Sequence, residues 1–144
     1  MGELKYEKYI VKNPKPNERG EFVEKMPPED VRKRVLYLDD EVVKGAFYMA
    51  TAWFFKAAEN GVDAHVHDFD EVIGFSGTNP DDVYDLGGEV EFWIEDEKYL
   101  ITNSFMAFIP AGVSHCPLRV LRVDRPIFHY SAGPGKMYGG DSKK

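Results

Sequence analysis

The chain of 144 residues has a single cysteine, Cys116. One thiol excludes an internal disulfide and a cysteine-rich zinc module. Long apolar runs are lacking too: the longest, 45–55, is far short of the roughly 20 residues that a membrane helix needs. The N-terminus, MGELKYEKYI, has neither the apolar stretch of a signal peptide nor the bias of a transit sequence. A soluble cytoplasmic protein that does not enter a membrane is therefore expected. Positive charge is in deficit, with 18 Lys and Arg against 25 Asp and Glu and a net charge of −7. Nucleic acid is not expected as a partner, because neutralising phosphates takes a basic face. A small anionic substrate stays open, since a pocket can be locally basic in an acidic protein.

What the chain does have is apolar and aromatic material: 43% hydrophobic residues, with 10 Phe, 8 Tyr and 2 Trp, enough for one core. These residues gather in β-rich runs rather than on a helical period, which predicts an all-β fold. Residues 1–34 read as an irregular N-terminal arm, broken by Asn13-Pro14-Lys15-Pro16 and Pro27-Pro28, with a short strand at 8–11 and one helical turn from Pro28. Strand-like runs fill 35–131, at 35–38, 46–56, 65–69, 71–76, 89–94, 99–102, 105–109, 114–123 and 126–130, about nine in all. An acidic, turn-rich loop spans 78–88. Residues 132–144 read as a loop-like tail.

Two segments carry the chemistry. His65-Val66-His67-Asp68-Phe69-Asp70-Glu71 is answered some forty residues later by Pro110-Ala111-Gly112-Val113-Ser114-His115. Residues two apart on a strand share a face, so His65 and His67 present both rings to one side, and Glu71 can join them if the strand continues or bends. His115 arrives from another strand, behind a turn in which Pro110 fixes φ and Gly112 allows backbone geometry that other residues resist. Three imidazoles and one carboxylate suit a single divalent transition metal: Mn, Fe, Ni or Zn. About two coordination positions would be left for water or substrate.

The two segments resemble the two motifs of the cupin superfamily, G-x5-H-x-H-x3,4-E-x6-G and G-x5-P-x-G-x2-H-x3-N. The chain keeps His65, His67, Glu71, Pro110, Gly112 and His115, including all four family metal ligands. It departs at Glu59 and Ser104, which stand where the motifs open with Gly. Gly61 lies near the first of these, the closing Gly of motif one comes a residue early at Gly77, and Arg119 replaces the final Asn. The resemblance covers about 35–130. It implies an antiparallel cupin barrel or β-sandwich of jelly-roll type, and pairing as a homodimer through arm or edge strands.

Other residues are candidates around this centre. Arg119, four beyond His115, is expected to point inward and to anchor a carboxylate or enolate, as substrate-binding or catalytic group. His129 in the last strand is a candidate general base near neutral pH. Tyr48 and Trp53 are expected in the core or cavity wall, in reach of substrate. Glu91 is expected to be solvated, Cys116 to face away from the metal, and Asp68 and Asp70 to cap or solvate. The expected function is metal-dependent catalysis on a small oxygen-rich or anionic organic substrate. Dioxygenase, lyase or decarboxylase, and isomerase chemistry are all open, because reaction type does not follow from fold. The alternative is a non-catalytic cupin that binds or senses a small ligand.

Overall fold

The computed structural model describes residues 4–13, 27–59 and 61–134. Its strands are β1 (Arg32–Leu38), β2 (Tyr48–Phe54), β3 (Glu71–Ser76), β4 (Asp85–Ile94), β5 (Glu97–Asn103), β6 (Phe105–Ile109), β7 (His115–Val123) and β8 (Ile127–Gly133). They form a five-stranded sheet in the order β1-β2-β8-β3-β6 and a three-stranded sheet in the order β5-β4-β7. Every pairing is antiparallel. The two sheets pack face to face as a sandwich with cupin-like strand topology, and neither closes into a barrel.

Alternation along the strands sets the layers. On β2, Tyr48, Ala50, Ala52 and Phe54 are buried while Met49, Thr51 and Trp53 lie on the other face. Phe54, Ile73, Phe75, Ile109 and Ile127 of the larger sheet meet Leu86, Val90, Phe92 and Val120 of the smaller one. Burying each such large side chain is worth about 1.5–3 kcal/mol.

The structure departs from the sequence reading in five places. The loop expected over 78–88 ends early, because its last four residues belong to β4, which begins at Asp85. β1 begins at Arg32, before the boundary expected at Val35, and β8 runs past 131 to Gly133. Residues 7–9 form a single 3-10 turn rather than a strand. The expected strand 65–69 is reduced to one bridge, His65 to His115, because the chain bends at Asp68 and Phe69 before entering β3. The proline-rich part of the arm at 14–16 and most of the tail lie outside the described residues. Among the described residues no helix is long and apolar enough to cross a membrane.

Candidate metal centre

The two motif segments are fastened to each other by their backbones. His65 and His115 exchange N–H···O bonds of 3.0 Å in both directions, and the Gly112 N–H donates to the His67 carbonyl at 2.9 Å. Asp70 Oδ1 accepts the Ala111 N–H at 2.9 Å, so this carboxylate caps the second turn. Gly112 has φ +86°, a left-handed conformation that favours glycine. Gly61 is required for a different reason: a Cβ there would sit 2.2 Å from the Leu118 carbonyl oxygen.

The bend at Asp68 and Phe69 turns Glu71 back toward the histidines. Glu71 Oε1 lies 3.3 Å from His67 Nε2 and 3.1 Å from His115 Nε2. The Nδ1 atoms of His65 and His115 face the carbonyls of Asp63 (2.7 Å) and Val113 (3.0 Å). These bonds place the ring proton on Nδ1 and leave the Nε2 lone pair as the ligating atom. One ligand atom from each of His65, His67, Glu71 and His115 lies within 4.8 Å of all the others. That is close to the spread around an ion with bonds of about 2.0–2.2 Å. His67, Glu71 and His115 are buried and His65 half-buried. The donor set therefore fits one divalent transition metal, and this cluster is capable of coordinating it.

Electrostatics favour the ligating forms. Burial works to raise the Glu71 carboxyl, but its close contacts with His115, His67 and the Tyr48 hydroxyl overcome it and bring it to about 2. His65 is lowered, chiefly by burial and further by the neighbouring imidazoles, against the pull of the Asp63 carbonyl. A carboxylate and lone-pair imidazoles are the states a metal needs.

Tyr48 is buried beside the cluster, where its hydroxyl donates to Glu71 Oε2 at 2.6 Å. Ser131 Oγ lies 2.5 Å from the same hydroxyl. With Oε2 engaged, Glu71 offers Oε1 alone toward the histidines. Ser131 escaped the sequence reading, although it is two residues beyond His129 and so shares its face.

Other expected residues lie elsewhere. Between β4 and β7 the register runs from Phe92↔Leu118 to Ile94↔His115, one more residue on β7 than on β4. This bulge, where Cys116 has φ +79°, reverses the alternation. Leu118 and Val120 then face the core, and Arg119 falls on the outer face. There its Nη1 donates to Glu91 Oε2 at 2.6 Å, so the expected inward orientation of Arg119 is corrected. Glu91 also accepts from Trp93 Nε1 at 2.7 Å, and that bond, with Arg119, holds its carboxyl below the usual range.

Trp53 packs on the outer face against Phe55 and Phe128, not on the cavity wall. Cys116 joins the apolar core, and burial pushes its thiol up to about 12. His129 faces inward, stacked on Phe75 with Nδ1 3.0 Å from the Gly74 carbonyl. Burial, aided by the charges of Arg32 and Arg34, lowers it to about 3. A base titrating near neutral pH is therefore not what this position supplies.

No protein-family model matches the chain, and no curated protein matches it. Solved structures do. An oxalate oxidase in complex with glycolate is 14% identical with a TM-score of 0.50, over 78% of this chain and 55% of that one. The fold is that of the cupin superfamily. A sugar phosphate isomerase of the cupin superfamily from Silicibacter pomeroyi is 18% identical with a TM-score of 0.49, over 73% of this chain and 60% of that one. A DMSP lyase structure is 14% identical with a TM-score of 0.42, over 67% of this chain and 43% of that one. The chain thus spans about half the length of the first solved structures that it matches. Identities this low speak for the cupin fold alone.

Proposed function

We propose that this cupin is a metal-dependent enzyme acting on a small, oxygen-rich organic substrate. The observation that carries the reading is the convergence of His65, His67, Glu71 and His115, with Tyr48 holding the second oxygen of Glu71. Four protein donors leave positions on a six-coordinate ion, which distinguishes a reactive site from a closed structural one. A bound ion would act as a Lewis acid toward substrate oxygens. The chain's own contribution is to fix the tautomer of two imidazoles, His65 and His115, to keep Glu71 ionised and to hold the cluster among buried aromatic groups such as Phe69 and Tyr48.

The test is elemental analysis of protein purified without added metal, followed by oxygen-uptake and substrate-turnover assays on the loaded protein. About one ion per chain and turnover that vanishes in His67→Ala support the reading. Full turnover in that variant, or a ligand recovered unchanged at every metal, would sink it and favour a binding or sensing role. Oxygen uptake with Fe would mark oxygenase chemistry, and its absence with Mn, Ni or Zn would mark lyase or isomerase chemistry.

A cytoplasmic homodimer is part of the same proposal. The support for pairing is the outer face of the larger sheet, where Met106 is 74% and Phe108 62% exposed on edge strand β6. A monomer mass by light scattering at micromolar concentration would contradict it.

A further inference from the structure

Tyr48 belongs to β2 and Glu71 to β3, and β8 lies between those two strands. Neighbouring strands are about 4.8 Å apart, so the phenol reaches a carboxylate two strands away by passing over β8. Two positions of β8 suit that passage. Gly133 pairs with Tyr48, and a Cβ on it would lie 2.8 Å from the Phe69 ring, which packs edge-on against Tyr48. Ser131 pairs with Ala50 on β2 and with Ile73 on β3, both buried, so it points into the interior between two apolar neighbours.

Ser131 is itself buried, and its Oγ meets the Tyr48 hydroxyl at 2.5 Å. Among the described residues that Oγ makes no other hydrogen bond. A hydroxyl buried between apolar side chains loses water and regains only the bonds it makes. An alanine would pack as well between Ala50 and Ile73, so the task of this hydroxyl lies at Tyr48 rather than in the core.

The supply of protons fixes the direction of both bonds. A ligating carboxylate can only accept, and a phenol carries one proton. That proton goes to Glu71 Oε2, at 2.6 Å, and the Ser131 hydroxyl therefore donates to the phenol oxygen. The three groups form a directed run of hydrogen bonds from β8 through β2 to β3. Each donor in such a run polarises the next, which strengthens the bond at the far end. Ser131 leaves the phenol proton one direction, toward Glu71.

We propose that Ser131 is a positioning residue of the metal centre. Through Tyr48 it keeps Glu71 Oε2 engaged, so that Glu71 serves the ion through Oε1 alone. The coordination position that a second carboxylate oxygen would take then stays available to a substrate oxygen. This assignment rests on the metal-dependent reading above and extends it to a residue that acts through another side chain.

The experiment is a double-mutant cycle on the full chain, with Ser131→Ala, Tyr48→Phe and the two combined. Affinity for Mn and for Zn is read by competition with a chelator. The hydroxyl environment of Tyr48 is read from the carbon resonance of its Cζ atom in tyrosine-labelled protein, assigned by its absence in Tyr48→Phe. Ser131→Ala should weaken the metal about three- to tenfold, below what a direct partner of a ligand contributes, because it acts one step further out. Once Tyr48→Phe has removed the phenol, the same alanine should change affinity by less than about twofold. Ser131→Thr, which keeps a hydroxyl, should recover most of the loss. The Tyr48 resonance should move in Ser131→Ala with and without metal. Should the alanine variant not fold, Ser131→Cys keeps the size of the side chain, donates only weakly and reads the same coupling.

A serine that merely packs predicts equal losses with and without the phenol, and that result would overturn the proposal. So would unchanged affinity in Ser131→Ala, or a Tyr48 resonance that stays in place. Failure of the enzymatic reading looks different, because none of these measurements needs turnover: metal binds, the cycle holds and no substrate is converted. A wild type that takes up neither Mn nor Zn would overturn the role of Ser131 together with that reading.

Discussion

At one end of the sandwich, Phe54, Phe75, Leu86, Phe92 and Ile127 pack between the sheets as an apolar cluster, with the His129 ring against Phe54 and Phe75. At the other, three imidazoles, a carboxylate, a phenol and a serine hydroxyl share a space that is nearly as dry. The first arrangement is favourable by itself, because burial of apolar area drives folding. The second costs free energy unless its polar groups are satisfied. A fold that keeps such a cluster beside an ordinary core separates the two tasks, stability and chemistry, between the ends of one interior. Substitutions should separate them as well.

The largest expected effect is at the polar end. His67→Ala removes a buried donor facing Glu71 Oε1, and bound metal should fall from about one ion per chain to below a tenth by elemental analysis. The thermal stability of the metal-free protein should change by no more than about 1 kcal/mol, since no apolar core is lost. A variant that keeps its metal would show that the cluster is not the ligand set.

Phe75→Ala is the converse. Phe75 is fully buried and packs on Phe54, Phe105 and His129. Its truncation should cost about 3–5 kcal/mol in denaturant unfolding. Metal per folded chain should stay the same. A loss of metal equal to that of His67→Ala would mean that the two ends are not separable.

Tyr48→Phe should produce a smaller, more selective change. It removes the hydrogen bond to Glu71 Oε2 while keeping the ring that packs on Tyr37 and Phe69. Partners that orient a ligand typically contribute 10–100-fold in metal affinity. Competition with a chelator should reveal that weakening, and the resonance spectrum of bound Mn should shift as Glu71 gains freedom to use both oxygens. Unchanged affinity and spectrum would reduce Tyr48 to packing.

The same contrast explains what could be read from the chain. The ligand set was legible because it is local: His65, His67 and Glu71 fall within seven positions, and Pro110, Gly112 and His115 within six. Even so, strand parity did not assemble it, since 65–69 is no regular strand and a bend delivers Glu71. Arg119 was misplaced because parity was counted through a bulge that sequence does not reveal. Trp53 was misplaced more simply, because an odd spacing from Tyr48 puts it on the opposite face. Arg32 and Arg34, whose charges bear on His129, were hidden by a boundary drawn at Val35, and by the run Val35-Leu36-Tyr37-Leu38, whose continuous apolarity does not say which side faces in. An antiparallel barrel or sandwich was expected; that there are two sheets and neither closes follows from long-range pairing, which no local pattern encodes.

His129 gives the finest test, because it belongs to both ends. It lies inward as expected, but burial, aided by the charges of Arg32 and Arg34, holds it neutral, with a folded value of about 3 against an ordinary 6.5. The unfolded chain therefore takes up this proton first as the solution is acidified. Its contribution to stability is complete above about pH 6.5 and is lost progressively as pH falls toward 3. Unfolding measured between pH 7 and 5, above the range where ordinary carboxylates titrate, isolates the histidines. His129→Gln cannot take up the proton and should flatten that part of the curve while leaving metal content at pH 7 unchanged. A slope identical to the wild type would mean that the metal-cluster histidines alone set the acid sensitivity. That would return His129 to the apolar end as packing only.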